Sequence, residues 1–193
     1  MKKGWIVLIV IVLTVLIFGG MYVNSRNTMV QMNETIKSDW AQVDVVLERR
    51  ADLIPNLVAT VQGIAAHETE VFTAVANARA NLMNARTPKG KIAANQQLDG
   101  AVVKVLALAE SYPQLRSNQN FLELQDQLEG TENRIAVERR RYDNAVQAYN
   151  TYIGMFPNNI FASWAGFQRN NDYFAATPAA QQVPKVAFPA AKQ

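Results

Sequence analysis

The sequence predicts an all-α protein, in which a single N-terminal transmembrane helix is followed by an antiparallel (up-and-down) four-helix bundle. Residues 4–23 form an uncharged apolar run, and beyond it apolar residues repeat at steps of three and four. This period is typical of amphipathic helices, whereas strands alternate at every second residue. The chain of 193 residues is long enough for one domain and an anchor.

The apolar run at residues 4–23 has the length of a transmembrane helix. A helix of that length spans about 30 Å, which matches the hydrocarbon core of a bilayer. Trp5 and Tyr22 lie near its ends, where amphipathic aromatic rings favour the membrane interface. A cleaved secretory signal is the alternative interpretation, but the run is long for a signal and only residues 23–25 resemble a cleavage site. We therefore expect a retained anchor.

Basic residues at the two ends of this span predict its orientation. Lys2, Lys3 and the free amino group precede the span, whereas Arg26 and Lys37 follow it. The bias favours a cytoplasmic N-terminus, which places residues 24–193 outside the cytoplasm. Because the difference in charge is small, a cytoplasmic domain is the alternative.

Breaks in the apolar pattern divide the rest of the chain into helices. Proline interrupts the pattern at Pro88, Pro113 and Pro157, because it removes a backbone donor and disfavours helix at the preceding residue. We expect helices at residues 26–50, 52–85, 90–110 and 118–156.

Pro55 is the ambiguous position in this division. Apolar residues continue in phase through it, which also fits one kinked helix over residues 28–84. Such a helix would be about 85 Å long, against about 58 Å for residues 118–156, and would leave much of its apolar face bare. We therefore expect the chain to reverse near Asp52, with the Asp52 side chain capping the second helix.

The predicted domain ends in an aromatic segment. The chain divides into a basic N-terminus at 1–3, the span at 4–23, the bundle at 24–174 and an extended tail rich in Ala and Pro at 175–193. One interpretation of the aromatic segment is a short helix that caps the bundle. The other is a surface for another protomer, a partner or the membrane interface. The interface candidates are Phe161, Trp164, Phe167 and Phe174.

Composition excludes several kinds of chemistry. The chain has no cysteine and one histidine, His67, which excludes thiol nucleophiles, Cys-ligated zinc and iron–sulfur clusters. His67 and Glu68 begin like an HExxH zinc motif, but Val71 stands at the second histidine position. The net charge of +3 is not typical of a nucleic-acid binder. We expect no enzymatic activity, cofactor, metal or nucleic-acid partner.

Charged residues on the apolar helix faces predict a polar layer inside the bundle. Arg50 and Glu68 lie on the apolar stripe of the first half of the domain, and the last helix carries Glu132 and Arg139. A buried charge needs a partner, because an unpaired one is costly. We expect these four side chains to pair and to fix which helices face each other. The alternative is a small-molecule site near Arg50, Glu132 and Arg134.

Two stretches of sequence carry a family resemblance. RRADLIPNL at residues 49–57 and TENRIA at residues 131–136 have the order and spacing of the LemA family, and the resemblance extends from the span to Phe188. One departure is Tyr142-Asp143, where the family often has Tyr-Asn, and it bears on a polar contact near Asp143. Residues of the two stretches and of the predicted layer are candidates for structural or interaction roles: Arg50, Asp52, Glu68, Glu132, Asn133, Arg134 and Arg139.

The resemblance implies a bacterial protein with one N-terminal span, an antiparallel four-helix soluble domain and no settled biochemical activity. Members are proposed to be membrane-associated scaffold or interaction proteins. We therefore expect a non-enzymatic scaffold of the bacterial inner (cytoplasmic) membrane with an extracytoplasmic or periplasmic bundle. It would contact the bilayer through residues 4–23, form homo-oligomers through coiled-coil packing and bind other membrane or envelope proteins. A ligand-sensing or transport-accessory bundle is the alternative function.

Overall fold

The structure, a computed structural model, describes residues 2–174, and within them it contains helices and no strand. This confirms the predicted all-α class. The predicted tail at 175–193 lies outside the described residues. The helices are α1 (Lys2–Gln62), α2 (Thr69–Asn84), α3 (Pro88–Ser111), α4 (Pro113–Arg116), α5 (Gln119–Gly154) and α6 (Asn158–Ala165).

Helix α1 contains the apolar run and continues from it into the folded domain without a break. Residues 4–20 are exposed along their whole length, and this part of α1 is long and apolar enough to cross a membrane. Farther along, α1 buries one stripe of side chains, which includes Ile36, Val43 and Leu47. The helix is thus apolar all round at its start and amphipathic beyond it.

The predicted chain reversal near Asp52 is wrong, because α1 continues through Pro55. Asp52 and Pro55 both lie on the exposed face of the helix, and Asp52 caps no helix. Since Pro55 has no N–H, the carbonyl of Ala51 loses its usual partner four residues later. Arg79 of α2 replaces that partner by donating from Nε to the Ala51 oxygen at 2.8 Å. A side chain that is distant in sequence therefore satisfies the backbone at the proline.

The chain reverses at residues 63–68 instead. Gly63 and Ala65 complete the end of α1, since their N–H groups donate to the carbonyls of Ala59 at 3.2 Å and Val61 at 2.8 Å. Helix α2 begins at Thr69, so the alternative of one kinked helix over residues 28–84 is also wrong. No proline marks this reversal, and the apolar pattern therefore gives little sign of it.

Local signals set the starts of α3 and α5 near their predicted positions. Thr87 Oγ1 accepts from Gly90 N at 3.1 Å, and Asn118 Oδ1 accepts from Phe121 N at 3.1 Å. These caps satisfy backbone donors that the first turn of a helix leaves unpaired. Pro88 occupies the first turn of α3, where its missing N–H costs little.

The helices pack as pairs around one apolar core. Helix α5 runs antiparallel to the domain part of α1, α2 packs against α3, and α1 also contacts α2 and α3. Helix α6 contacts both α1 and α5 at the end of this pair that is nearest to the apolar run. The core consists of buried aliphatic and aromatic side chains, and its aliphatic residues include Val43, Leu47, Ile54, Leu57, Val75, Leu98, Val105, Ile135 and Val146.

Candidate functional site

A charged layer centred on Arg50 links three helices. The Arg50 side chain of α1 is 7% exposed, and its Nη1 donates to a carboxylate oxygen of Asp99 on α3 and to Glu132 Oε2 on α5 at 2.7 Å. Asn95, one turn before Asp99 on α3, donates from Nδ2 to Asp99 Oδ2 at 3.3 Å. We call these four side chains the Arg50 layer. One guanidinium thereby fixes the register of α1, α3 and α5.

The electrostatics of the Arg50 layer are unbalanced. One cation faces two carboxylates, and burial raises the pKa of Asp99 above its ordinary value of 3.8, an effect to which Glu132 adds and which Arg50 opposes. Two polar atoms of the layer, Arg50 Nε and Asn95 Oδ1, are buried without a hydrogen-bond partner in the structure. The layer therefore has one donor and one acceptor that its own side chains do not use.

A groove of about 300 Å³ opens beside the Arg50 layer, between α3 and α5. The charged layer forms one part of its wall and aliphatic side chains form most of the rest. We call it the α3–α5 groove. Its lining consists of Arg50, Asp99, Val102, Val103, Leu106, Gln125, Leu128, Glu129 and Glu132.

The structure brings together only part of the predicted layer. Glu132 pairs with Arg50 as expected, but Glu68 lies at the chain reversal, where its Oε1 accepts from Tyr112 Oη at 3.0 Å. Arg139 stacks with its guanidinium carbon 4.5 Å from the centre of the Phe174 ring. The expectation that Glu68 and Arg139 share a layer with Arg50 therefore needs correction, because their partners are Tyr112, between α3 and α4, and Phe174, in the segment after α6.

The remaining predicted polar residues lie on the surface. Asn133 and Arg134 are exposed on α5, and Arg134 is outside the lining of the α3–α5 groove. Asp52 is exposed on α1, with its Oδ1 4.0 Å from Arg79 Nη2. At that distance and exposure the pair contributes little.

Sequence reasoning missed Asp99 as the principal partner of Arg50. A signal for it exists, because Asn95 interrupts the apolar stripe of α3 and Asp99 follows one turn later beside the buried Leu98. A polar residue on a buried stripe with an acidic neighbour one turn away predicts a polar contact at that level of the helix.

Arg79 was also missed, and its role is structural. Its side chain is half-buried between α1 and α2 and donates to the Ala51 carbonyl that Pro55 leaves free. The sequence signal is the proline itself, since a proline within a continuing helix requires a substitute donor.

The segment after α6 folds back onto the middle of the domain through aromatic contacts. Phe174 stacks on Trp40 with ring centres 6.1 Å apart, and both rings contact Tyr142 edge-on. Phe174 N donates to Asp143 Oδ1 at 3.0 Å, which is the polar contact at the position where the sequence departs from the family pattern. Burial raises the pKa of Asp143, and burial raises the pKa of Tyr142 to about 12.

A second polar contact secures the same segment. Asn150 Nδ2 donates to the Asn170 carbonyl at 2.6 Å and to Tyr173 Oη at 2.8 Å, and Asn150 Oδ1 accepts from Asn170 N at 2.9 Å. Asn150 is buried and has both ends of its amide satisfied by the returning chain. The segment up to Phe174 is therefore part of the folded domain.

The four aromatic interface candidates differ in exposure. Phe161 is buried and packs edge-on against Tyr22 of α1 with ring centres 5.8 Å apart, and Phe167 and Phe174 are half-buried. Trp164 is 72% exposed, although its ring centre lies 6.0 Å from that of Phe161. Phe161 therefore belongs to the core, and Trp164 is the candidate that stays available for contact.

Metal chemistry receives no support from the part of the chain that the structure describes. Among residues 2–174, no group of three or more His, Asp or Glu side chains is placed to hold a metal ion. The carboxylates of the Arg50 layer are occupied by the guanidinium and by an amide.

An apolar helix that is long enough to cross a membrane continues into an all-helical domain, and together with the relatives below it indicates a membrane-associated helical protein. The family model described as "LemA family" matches residues 39–188, and the chain belongs to the LemA family. Two relatives from Paramagnetospirillum magneticum, named magnetosome protein MamQ 1 and MamQ 2, are each 26% identical over 198 residues, which cover 89% of this chain and 72% of the relative. Protein LemA from Metamycoplasma hominis is 22% identical over 152 residues, covering 78% of this chain and 69% of the relative.

Proposed function

We propose that the protein is a membrane-anchored, non-enzymatic helical scaffold that self-associates. The observation that carries this proposal is the continuity of α1, in which the apolar run and the core stripe belong to one helix of 61 residues. A continuous helix transmits position and orientation, because it has no flexible linker between the membrane and the domain. The domain would then be held at a fixed angle to the bilayer surface.

The proposal includes a location and an arrangement. Residues 4–23 cross the bacterial inner membrane with the N-terminus in the cytoplasm, and residues 24–193 lie on the extracytoplasmic or periplasmic side. The basic residues before the span support this orientation. The long helices form an antiparallel four-helix bundle, which is supported by the antiparallel run of α5 on α1 and by the packing of α2 on α3.

The buried polar groups support a structural role rather than a chemical one. Arg50 joins three helices, Arg79 joins two at the proline, and Asn150 holds the returning chain. In some proteins, buried polar groups of this kind fix which helix faces which. A domain whose helices are joined by such hydrogen bonds and ion pairs is suited to a scaffold that presents a fixed surface.

Self-association is supported by apolar side chains that the domain leaves exposed outside the span. Val45 on α1, Val103 on α3 and Val137 on α5 are 61%, 64% and 49% exposed, and Val103 also borders the α3–α5 groove. A second copy that packs over one of these side chains would remove apolar surface from water.

Single-cysteine labelling tests the anchor and its orientation, because the chain has no native cysteine. Gln193→Cys, or Ser111→Cys at the exposed end of α3, is expressed in cells and treated with a membrane-impermeant maleimide, after the outer membrane is opened where one exists. Labelling of intact cells is expected. Labelling only after lysis of the inner membrane contradicts the orientation, and recovery of the protein from the soluble fraction contradicts the anchor.

The second candidate function is a ligand-sensing or transport-accessory bundle. The α3–α5 groove favours it, since its wall is largely aliphatic and Arg50 Nε lies buried beside it without a partner. The two carboxylates disfavour an anion, so the expected ligand is a neutral amphiphile with an oxygen acceptor and an apolar chain.

A thermal-shift measurement with medium-chain alcohols and amides tests this candidate. A ligand at 100 times its dissociation constant adds about 2.7 kcal/mol of stability, which raises the melting temperature measurably. Leu106→Trp is the matched control, because the larger side chain would fill the groove and abolish the shift. An unchanged melting temperature for every probe removes this candidate.

A further inference from the structure

Helix α6 is placed at the level where the apolar run of α1 ends. Phe161 packs on Tyr22, and Ser25 Oγ donates to Asn158 Oδ1 at 2.9 Å. These two contacts hold the first half of α6 against α1 where the apolar run ends. A cleft between the two helices is lined by Val15, Phe18, Gly19, Tyr22, Phe161 and Trp164.

The other side of α6 is exposed, and it carries the large apolar side chains of Ile160 and Trp164 together with the small polar ones of Asn159 and Ser163. Ile160 and Trp164 lie one turn apart on this face and are 40% and 72% exposed, whereas Phe161 and Ala162 on the face toward α1 are buried. The turn before α6 adds Phe156, which is 80% exposed. We call the exposed side chains of Phe156, Ile160 and Trp164 the α6 face.

Charge is absent from the chain around the α6 face. Residues 144–168 contain no Asp, Glu, Lys or Arg, and neither do residues 4–25 of α1. The charged residues that flank residues 144–168 are Asp143 and Arg169, and Arg26 directly follows residues 4–25. Residues 144–168 and 4–25 themselves contribute none of the groups that are most costly to remove from water, and the Arg169 guanidinium lies beside Gly154 at the end of α5.

We propose that the α6 face inserts into the interfacial region of the lipid bilayer, so that the protein holds the membrane by a span and by a second, interfacial contact. This inference rests on the proposed anchoring of residues 4–23. The occupant of the α6 face is lipid because the face is continuous with the span: Trp164 lines the same cleft as Phe18, which lies about 8 Å farther into the apolar run than Val23. An interfacial helix is buried to about 5–10 Å, and tryptophan is enriched at that depth.

The second contact fixes the rotation and the tilt of the span as well as the depth of the domain in the membrane. A single helix in a bilayer is free to rotate about its axis and to tilt, whereas a helix with an interfacial side arm has one preferred rotation and a restricted tilt. The α6 face therefore determines which face of the domain points along the membrane plane and which points away from it. For a scaffold, this orientation determines which surface of the domain is accessible to neighbouring proteins in the membrane.

Site-directed spin labelling of the full-length chain in phosphatidylcholine–phosphatidylglycerol vesicles tests the proposal. One cysteine is introduced at Ile160→Cys, with Ser163→Cys as a second position on α6 in case the first variant folds poorly. Val12→Cys is the control in the span, and Ser111→Cys is the exposed control at the end of α3. Collision of the label with oxygen, which concentrates in lipid, is compared with collision with a water-soluble nickel chelate.

The expected result is that the α6 labels collide more with oxygen than with nickel, as the Val12→Cys label does, while the Ser111→Cys label shows the reverse. Nickel access at α6 together with lipid access at Val12→Cys would overturn the interfacial contact and leave the anchor intact. Nickel access at Val12→Cys would contradict the anchor itself. Protection of the α6 labels from both reagents, with spin–spin broadening between copies, would replace lipid by a second copy and also overturn the proposal.

Discussion

Replacement of Arg50 by methionine is the sharpest perturbation of the domain. The guanidinium is 7% exposed and holds Asp99, whose side chain is 29% exposed, and Glu132, whose side chain is 46% exposed. Methionine keeps an unbranched apolar stem, ends short of the guanidinium, and removes both ion pairs. The change therefore removes the charge and a small part of the packing.

The burial of the two carboxylates sets the expected magnitude. Removing one partner of a fully buried ion pair costs about 3–5 kcal/mol, whereas an exposed pair contributes less than about 1 kcal/mol. Asp99 lies between these limits and Glu132 is near the exposed one. We expect Arg50→Met to lower the free energy of unfolding by about 2–3 kcal/mol, which lowers the melting temperature by roughly 4–12 °C for a domain of this size.

A triple variant separates the charge effect from a simple loss of packing. Arg50→Met combined with Asp99→Asn and Glu132→Gln removes the uncompensated carboxylates together with the cation. Replacement of a whole buried ion network by neutral groups is often close to neutral in stability. We expect the triple variant to recover most of the loss, to within about 1 kcal/mol of the parent chain.

Urea unfolding of the full-length chain in detergent micelles measures these differences. Trp40 packs against Tyr142 and Phe174 in the domain, so tryptophan fluorescence complements circular dichroism, which also reports the span. An Arg50→Met chain that unfolds with the same midpoint and slope as the parent would refute a stabilising role for the layer. A triple variant as unstable as the single one would show that lost packing, and not the unpaired carboxylates, causes the effect.

Three further predictions follow from individual contacts. Arg79→Leu should destabilise the domain by about 1–3 kcal/mol, because it leaves the buried Ala51 carbonyl without a donor. The loss should be smaller in a Pro55→Ala background, because the backbone N–H of residue 55 then donates to that carbonyl. Asn118→Ala should cost about 1 kcal/mol by removing the cap of α5, and Asn118→Gly only a few tenths. Because the pKa of Asp99 is raised in the folded state, the folded state binds this proton more tightly than the unfolded state does. The stability of the parent relative to Asp99→Asn should therefore fall as the pH rises from about 3.8 through the folded pKa.

Each of these predictions has a result that would contradict it. Equal losses from Arg79→Leu with and without Pro55 would separate Arg79 from the proline. Equal stability of the Asn118→Ala chain would show that water caps α5 as well as the amide does. A stability difference between the parent and Asp99→Asn that rises with pH would mean that Arg50 outweighs burial at Asp99. Urea unfolding serves for all three, with the last repeated over a series of pH values.

The periodicity of apolar residues was enough to predict the all-α class, and the uncharged stretch at 4–23 was enough to predict a long apolar helix, because both depend on local pattern alone. The reversal was misplaced because Pro55 is a local signal whose effect is cancelled by Arg79, a residue on another helix. The real reversal at residues 63–68 contains no proline. Gly63 is the one residue in it of a type that commonly ends a helix. A local pattern therefore predicts which segments are helical more reliably than it predicts where each helix ends.

The polar site was predictable only in part for a related reason. Helical periodicity showed that Arg50 lies on a buried face, which requires a partner, but not which side chain of another helix is level with it. Glu132 was named and Asp99 was missed, while Glu68 and Arg139 were assigned to the layer although Tyr112 and Phe174 are their partners. Partner identity depends on the register between helices, and the four-helix bundle arrangement itself stays a prediction. The exposure of Trp164 and the burial of Phe161 likewise depend on where α6 docks on α1.

Counting copies of the chain in the membrane tests the proposed self-associating scaffold most directly. The full-length Ser111→Cys chain carries one dye on an exposed residue, is taken from the membrane in polymer nanodiscs, and is analysed by single-molecule photobleaching. We predict two or more bleaching steps in most particles, also when expression is reduced. Single steps in nearly all particles at full labelling, or a chain that never enters the membrane fraction, would contradict a membrane-anchored, self-associating scaffold.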